Sequence, residues 1–147
     1  MPYNPIYFRE VAETQSYLFG YVQDNFPNWD IEFFVDNYMK SDIKDFQEKG
    51  NPFFLTMSFD VILDRLRGTC TRIVDKLSAD GFVPEWAGEL YAQLQIQTGV
   101  ASRDLVDLVP YRLLRQAYPV LHFLDMDLAV EKVAAQAGLP IKYSLDL

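Results

Sequence analysis

The chain has 147 residues, half of them apolar. That suits one globular domain burying about two-thirds of its unfolded surface and excludes a disordered polymer. The formal charge is −8 and lies toward the front: residues 1–64 hold eleven acids against Arg9, Lys40, Lys44 and Lys49, whereas residues 65–147 hold ten against nine bases. Such a front half repels nucleic acid and anionic membranes and suits a basic partner, although any one acid more commonly serves solubility.

Pro2 and Pro5 hold the first residues extended, and a helix is predicted from about Ile6 to Asn25. Val11, Tyr17, Leu18, Tyr21 and Val22 supply its apolar face, and Pro27 ends it. Asp30 is a good N-cap, with Glu32 in the first turn, for a helix carrying Ile31, Phe34, Val35, Tyr38 and Met39. Ile43 and Phe46 either continue that helix or belong to a second one capped by Ser41, with Gly50 as its C′ residue and Asn51-Pro52 as the stop. Residues 53–57 form a short apolar run, read as a buried connector because no second strand of comparable strength exists to pair with it. From an N-cap at Ser58, the residues Phe59, Ile62, Leu63, Leu66, Cys70, Ile73, Val74 and Leu77 keep one face apolar for over five turns, interrupted by Gly68 and closed by Asp80-Gly81.

The stretch 81–122 is the densest in helix signals and predicts three helices folding against everything around them. Pro84 reads as N1 of the first, with Trp86, Leu90, Leu94 and Gln97 inward, Ala87, Tyr91 and Ile96 widening the face, and Thr98-Gly99 as terminator. Ser102 reads as the cap of a short helix bearing Leu105, Val106, Leu108 and Val109. Pro110 opens a further helix with Leu113, Leu114 and Ala117 inward, stopped by Pro119. Asp125 caps the last helix, which turns Leu128, Ala129 and Val133 inward and ends at Gly138, leaving residues 141–147 as an extended tail. No stretch alternates in the strand manner for more than a few positions, so the expectation is an all-α domain of six to eight helices spanning 1–147. A sub-boundary near 80–81 would leave each half a thin core.

The chemistry-bearing residues are sparse. His122 is the sole histidine and Cys70 the sole cysteine, so any triad would use His122 with Asp125 and Cys70 or a serine, yet no nucleophile-elbow or cysteine-protease signature surrounds them. One His and one Cys cannot build the usual zinc sets, and Asp104-x-x-Asp107 and Asp125-x-Asp127 lack the glycine and glutamate of a calcium loop. Neither metal nor cofactor is expected. Residues 98–105, followed by a helix with Arg112 and Arg115, resemble a helix-turn-helix in outline, but Arg103, Arg112 and Arg115 are thin for phosphate binding beside an acidic front half. A lone cysteine suits a reducing compartment. No apolar stretch approaches the ~20 residues of a membrane span. The N-terminal residues lack a basic leader before an apolar run. A cytoplasmic location is therefore expected.

Two segments carry a resemblance. One is Phe34-Val35-Asp36-Asn37-Tyr38-Met39-Lys40-Ser41 with Gly50-Asn51-Pro52 and Leu55-Thr56-Met57-Ser58; the other is Trp86-Ala87-Gly88-Glu89-Leu90-Tyr91-Ala92 with Ser102-x-x-Leu105 and Tyr118-Pro-Val-Leu121-His122. Together, over about residues 30–130, they resemble small uncharacterised bacterial proteins from gene clusters that also hold ADP-ribosyltransferase-like toxins. The resemblance implies a partner-binding protein of a toxin–antitoxin or phage-defence setting and carries no catalytic set.

The leading expectation is thus a non-enzymatic, acidic protein-interaction module, antitoxin-like, whose partner is a protein of basic character. Aromatics are abundant, and Tyr and Trp favour partner contact. Tyr17, Tyr21, Trp29, Phe33 and Asp36 are the contact candidates, each with an equally good core reading. The alternatives are a small enzyme built on His122 with a nearby acid or Cys70, and a helix-turn-helix-like DNA-binding regulator.

Overall fold

The computed structural model describes residues 5–77 and 79–143. Among them are eight helices of seven residues or more and one isolated helical turn, with no strand, as the apolar periodicity predicts.

A 3-10 turn at Pro5–Tyr7 leads into α1 (Phe8–Asn25). Phe8, Val11, Ala12, Leu18, Phe19 and Val22 recur at helical spacing and are buried, whereas Tyr17, expected on the same face, is 63 % exposed. The helix stops two residues before Pro27, where the Phe26 amide donates to the Val22 carbonyl at 2.8 Å. Asp30 starts α2 (Ile31–Tyr38), its carboxylate accepting from the Phe33 amide at 3.1 Å. Ser41 starts a separate α3 (Asp42–Glu48), its hydroxyl oxygen accepting from the Lys44 amide at 3.2 Å. Because α3 is a fresh helix with its own phase, Ile43, Lys44 and Gln47 turn inward and Phe46 is exposed. The run after Gly50 forms a single turn, α4 (Pro52–Leu55).

The third long helix, α5 (Phe59–Cys70), is shorter than the apolar pattern predicts. It runs through Gly68 and ends at Cys70, and Ser58 holds the N-cap position without a side-chain capping bond. Beyond Cys70 the backbone pairs with the α1–α2 loop: Asp30 donates to the Arg72 carbonyl at 2.7 Å, and Val74 to the Asn28 carbonyl at 2.8 Å. That pairing opposes Trp29 to Ile73 and turns Ile73 and Leu77 out to solvent, so two residues expected on a helix face are exposed. Helical spacing in a sequence cannot report such a backbone partner.

The central element is α6 (Val83–Thr98). It begins one residue before Pro84, and Gly99, at φ +74°, ends it. Every residue from Leu90 to Thr98 is buried, so the helix is covered on all sides and not on one stripe. α1 runs antiparallel along it. Gln15 Nε2 donates to the Gly88 carbonyl (2.8 Å), Ser16 Oγ to the Glu85 carbonyl (2.9 Å), and Gln23 Nε2 to the Gly81 carbonyl (2.6 Å). These bonds and the shared core join the two sides of the 80–81 turn into one packing unit.

Three helices close the remaining faces of α6. α7 (Ser102–Leu108) takes Ala101 as its N-cap. Ser102, one residue inside, instead donates its hydroxyl to the Met39 carbonyl at 2.6 Å and its amide to Glu48 at 2.9 Å. Of the four apolar residues read on this helix, Leu105, Val106 and Val109 are buried and Leu108 is exposed. α8 (Tyr111–Leu121) has Pro110 at its N-cap and continues through Pro119, which was expected to stop it. Pro119 lies in the last turn on the exposed side, where one lost backbone bond at a fraying end is tolerated. α9 (Met126–Ala137) starts after Asp125, whose side chain makes no capping bond, and ends at Gly138 (φ +71°). It buries Ala129, Val130, Val133 and Ala134; Leu128, expected inward, is exposed. The Lys142 and Tyr143 amides tie the following segment to the Gln97 carbonyl at 2.8 and 3.0 Å, and residues 144–147 of the expected tail lie outside the described residues.

Candidate functional site

Side chains from α1, α3 and α5 converge on one shared space. A cavity of about 300 Å³ opens there, and α1 forms most of its lining. Residues 7, 10, 13, 14 and 17 climb one side of the 3-10 turn and α1, placing Tyr7, Glu10, Glu13, Thr14 and Tyr17 at the mouth. All but the half-buried Thr14 are exposed. Val11, Leu18, Leu55 and Ile62 make the apolar wall.

The floor is polar and buried. Lys44 Nζ donates to Gln15 Oε1 at 2.5 Å, and the Tyr38 hydroxyl donates to Gln47 Oε1 at 3.0 Å. Gln15 and Gln47 pass their own amide hydrogens to the Gly88 and Phe54 carbonyls. The two amide side chains are therefore oriented with their oxygens toward the lysine and the tyrosine. Burial pushes the Lys44 ammonium down to about 8, an effect that the charge of Glu48 partly opposes. Burial likewise raises the Tyr38 hydroxyl well above its ordinary value.

The mouth is acidic. Neither Glu10 nor Glu13 has an ion pair among the described residues, and the only cation lining the cavity is the buried Lys44. On α6, Glu89 is held above the usual carboxylate range by burial and then by the charge of Glu13, a hydrogen bond to Gln93 opposing them. One carboxylate feeling another marks a concentrated negative field on this side.

Of the five contact candidates, only Tyr17 reaches this cavity. Tyr21 is half-buried against Phe26 and Phe59, with ring centres 6.4 and 5.6 Å away. Trp29 is 7 % exposed and stacks on Phe26 at 4.3 Å. Phe33 lies half-buried under the Arg72 guanidinium, 4.8 Å from its ring centre. Asp36 accepts from the Tyr111 amide at 3.2 Å and so serves the N-terminus of α8. Burial raises the Asp36 carboxyl, the Tyr111 hydrogen bond holding it partly down.

The residues of the two alternatives are engaged elsewhere. His122 Nδ1 donates to the Tyr118 carbonyl one turn back at 2.7 Å, and its ring stacks on Tyr118 with centres 4.4 Å apart. No other hydrogen bond to the ring is found among the described residues, and it lines neither the cavity against α1 nor those beside Cys70 and Asp80. Cys70 is buried beside Thr69, and burial raises its thiol. Arg115 is held by Asp80 and Glu32, both at 3.0 Å, and Arg103 donates to the Lys40 carbonyl at 3.1 Å. Asp107 pairs with Lys40. No group of three metal-ligating side chains occurs among the described residues, nor any helix long and apolar enough to cross a membrane.

Sequence reasoning missed Tyr7, Glu10, Glu13, Gln15, Tyr38, Lys44 and Gln47 as a site. One signal was legible: Gln15 sits four residues after Val11 and three before Leu18, a polar group inside an apolar stripe. No protein-family model matches the chain, and neither a curated protein nor a solved structure is found similar to it.

Proposed function

We propose that this chain is an acidic protein-binding module that docks a basic segment of a partner protein across the open side of α1. The observation carrying this reading is the cavity mouth: two exposed tyrosines and two glutamates without an ion pair among the described residues, on successive turns around a space large enough for one side chain. An arginine or lysine of the partner lays its stem along a tyrosine ring and brings its charge to Glu10 or Glu13. A neighbouring apolar residue of the same segment enters against Val11, Leu18 and Leu55. The excess of acids over residues 1–64 adds a long-range field that speeds encounter with a basic surface. The antitoxin-like role implied by the sequence resemblance is one form of this reading, with a basic toxin as the partner.

The test is site-specific cross-linking in cells that express the chain natively. A photo-reactive phenylalanine analogue at position 17 should capture a protein of basic isoelectric point. Glu10→Lys with Glu13→Lys should abolish the capture, and the same probe at the exposed Arg112 should not produce it. Equal capture from positions 17 and 112, or capture indifferent to charge reversal, would contradict the reading.

A further inference from the structure

The outward side of α8 carries an apolar patch open to solvent. Arg112, Gln116, Pro119 and Phe123 follow one another at intervals of four, three and four, the spacing of a seam between paired helices, and all four are exposed. The line runs past the end of α8 because His122 keeps helical backbone angles, φ −67° and ψ −18°. Val120 beside it is 72 % exposed and Phe123 81 %. Phe123 is propped from within: its ring lies 4.0 Å from that of His122, which stacks in turn on Tyr118. The two ends of the line carry opposite charges. Arg112 opens it, and Asp125 follows just past Phe123, before α9. Neither has an ion pair among the described residues, and the Asp125 side chain makes no capping bond.

We propose that two copies of the chain associate through this face, α8 packing antiparallel on α8 about a two-fold axis near Ala117 and Tyr118. A line that runs from a cation through apolar residues to an anion is complementary to its own reverse, and a two-fold axis supplies that reverse. In this register Arg112 of each copy lies over the second copy's Phe123 ring, its charge toward the second copy's Asp125. Gln116 lies against Pro119, and Pro119, Val120 and Phe123 leave water together. A basic segment would meet Arg112 and an acidic one Asp125, so neither matches the line as a second copy does. Net charge favours this part of the chain: residues 65–147 hold ten acids against nine bases, so two copies repel least here. One helix face buries less than a standard interface, which makes the dimer weak and concentration-dependent. None of these residues lines the α1 cavity, so dimerisation and docking stand independently. A cross-link from position 112 then captures this acidic chain itself and no basic partner.

The experiment is sedimentation velocity on the purified full chain, at concentrations up to about 300 µM so that weak association registers. The weight-average mass should rise with concentration toward twice that of the monomer. Phe123→Glu should raise the dissociation constant at least about tenfold. Arg112→Asp and Asp125→Arg each oppose like charges across the axis, and each should weaken the dimer by about three- to tenfold. The variant carrying both restores opposite charges and should return to within about threefold of wild type. All three side chains are exposed, so every variant should keep the wild-type circular dichroism. A monomeric mass throughout the concentration range would overturn the proposal. So would a dimer indifferent to Phe123→Glu, because its interface would lie elsewhere. A double variant no stronger than the two singles would remove the pairing of Arg112 with Asp125, and with it the antiparallel register.

Discussion

Lys44 and Gln15, 29 residues apart in the chain, are joined side chain to side chain across the α1–α3 boundary, and the same glutamine reaches on to the Gly88 carbonyl of α6. One side chain thus ties three helices together at the cavity floor. Gln15→Leu removes an acceptor from a buried ammonium and a donor from a buried carbonyl. The expected loss is about 2–4 kcal/mol, read from urea unfolding midpoints.

The lysine also gives the fold a pH dependence whose sign follows from its depressed value. Between about 8 and the ordinary 10.5 the unfolded chain binds a proton that the folded chain does not, so stability rises with pH through that window. Below 8 both states are protonated and the contribution is flat. Three buried tyrosines work the other way: burial keeps Tyr38, Tyr91 and Tyr111 protonated above their ordinary 10.0, so stability falls beyond that pH as the unfolded chain loses those protons. The stability difference between wild type and Lys44→Met should therefore grow by about 1–3 kcal/mol from pH 8 to 10. A difference that stays constant over this range would refute the buried-ammonium account.

Gly88 and Gly20 both lie in the α1–α6 contact and should respond differently to alanine. A Cβ at Gly88 would meet the Gln15 carbonyl oxygen at 2.7 Å and the Ser16 Cα at 2.8 Å, all backbone. The helices must separate, and Gly88→Ala should cost about 2–3 kcal/mol. At Gly20 the obstacle is the Glu85 side chain, which can swing aside. Alanine's better helix propensity offsets that rearrangement, so Gly20→Ala should stay within about 1 kcal/mol of wild type. Thermal melts of the two variants decide it.

Gly68 is the opposite case. It lies in the exposed interior of α5 with nothing within 4 Å of an added Cβ. Gly68→Ala should stabilise the chain by about 0.5–1 kcal/mol, measurable as a higher urea midpoint.

Asp80 joins the inter-helix loop to α8, accepting from the Tyr111 hydroxyl at 2.7 Å and from Arg115 Nε at 3.0 Å. Asp80→Ala strands a buried hydroxyl and should cost about 2–3 kcal/mol. Adding Tyr111→Phe removes the stranded group. The double variant should therefore be more stable than the sum of the singles by about 1 kcal/mol or more, a coupling that a double-mutant cycle of unfolding free energies measures.

Much of this architecture could be read in the residues themselves, because caps and breaks act locally. Asp30 and Ser41 make the capping bonds that their positions predict, and Gly50, Gly99 and Gly138 adopt the positive φ that helix ends require. The misreadings occur where a distant partner decided the outcome. Ile73, Val74 and Leu77 continue the spacing of α5, but pairing with Asn28 and Asp30 pulls that backbone out of the helix. Ser102 looked like a cap and is instead a donor to Met39, 63 residues away. Lys44 was invisible as an interior group because an isolated lysine gives no sign of which helix face is covered. The phase of α3, fixed by Ser41, put it inside.

The antiparallel seam between α1 and α6 bears on how the polypeptide could be divided. A cut in the exposed turn at Gly81 would leave the front piece without the helix that covers α1, and the rear piece with the face of α6 that α1 covers, Ala92 and Ile96 among it, bare. Neither fragment would persist alone. Produced together, they should find each other and reassemble, which makes that turn a natural place to divide this chain into two complementing pieces.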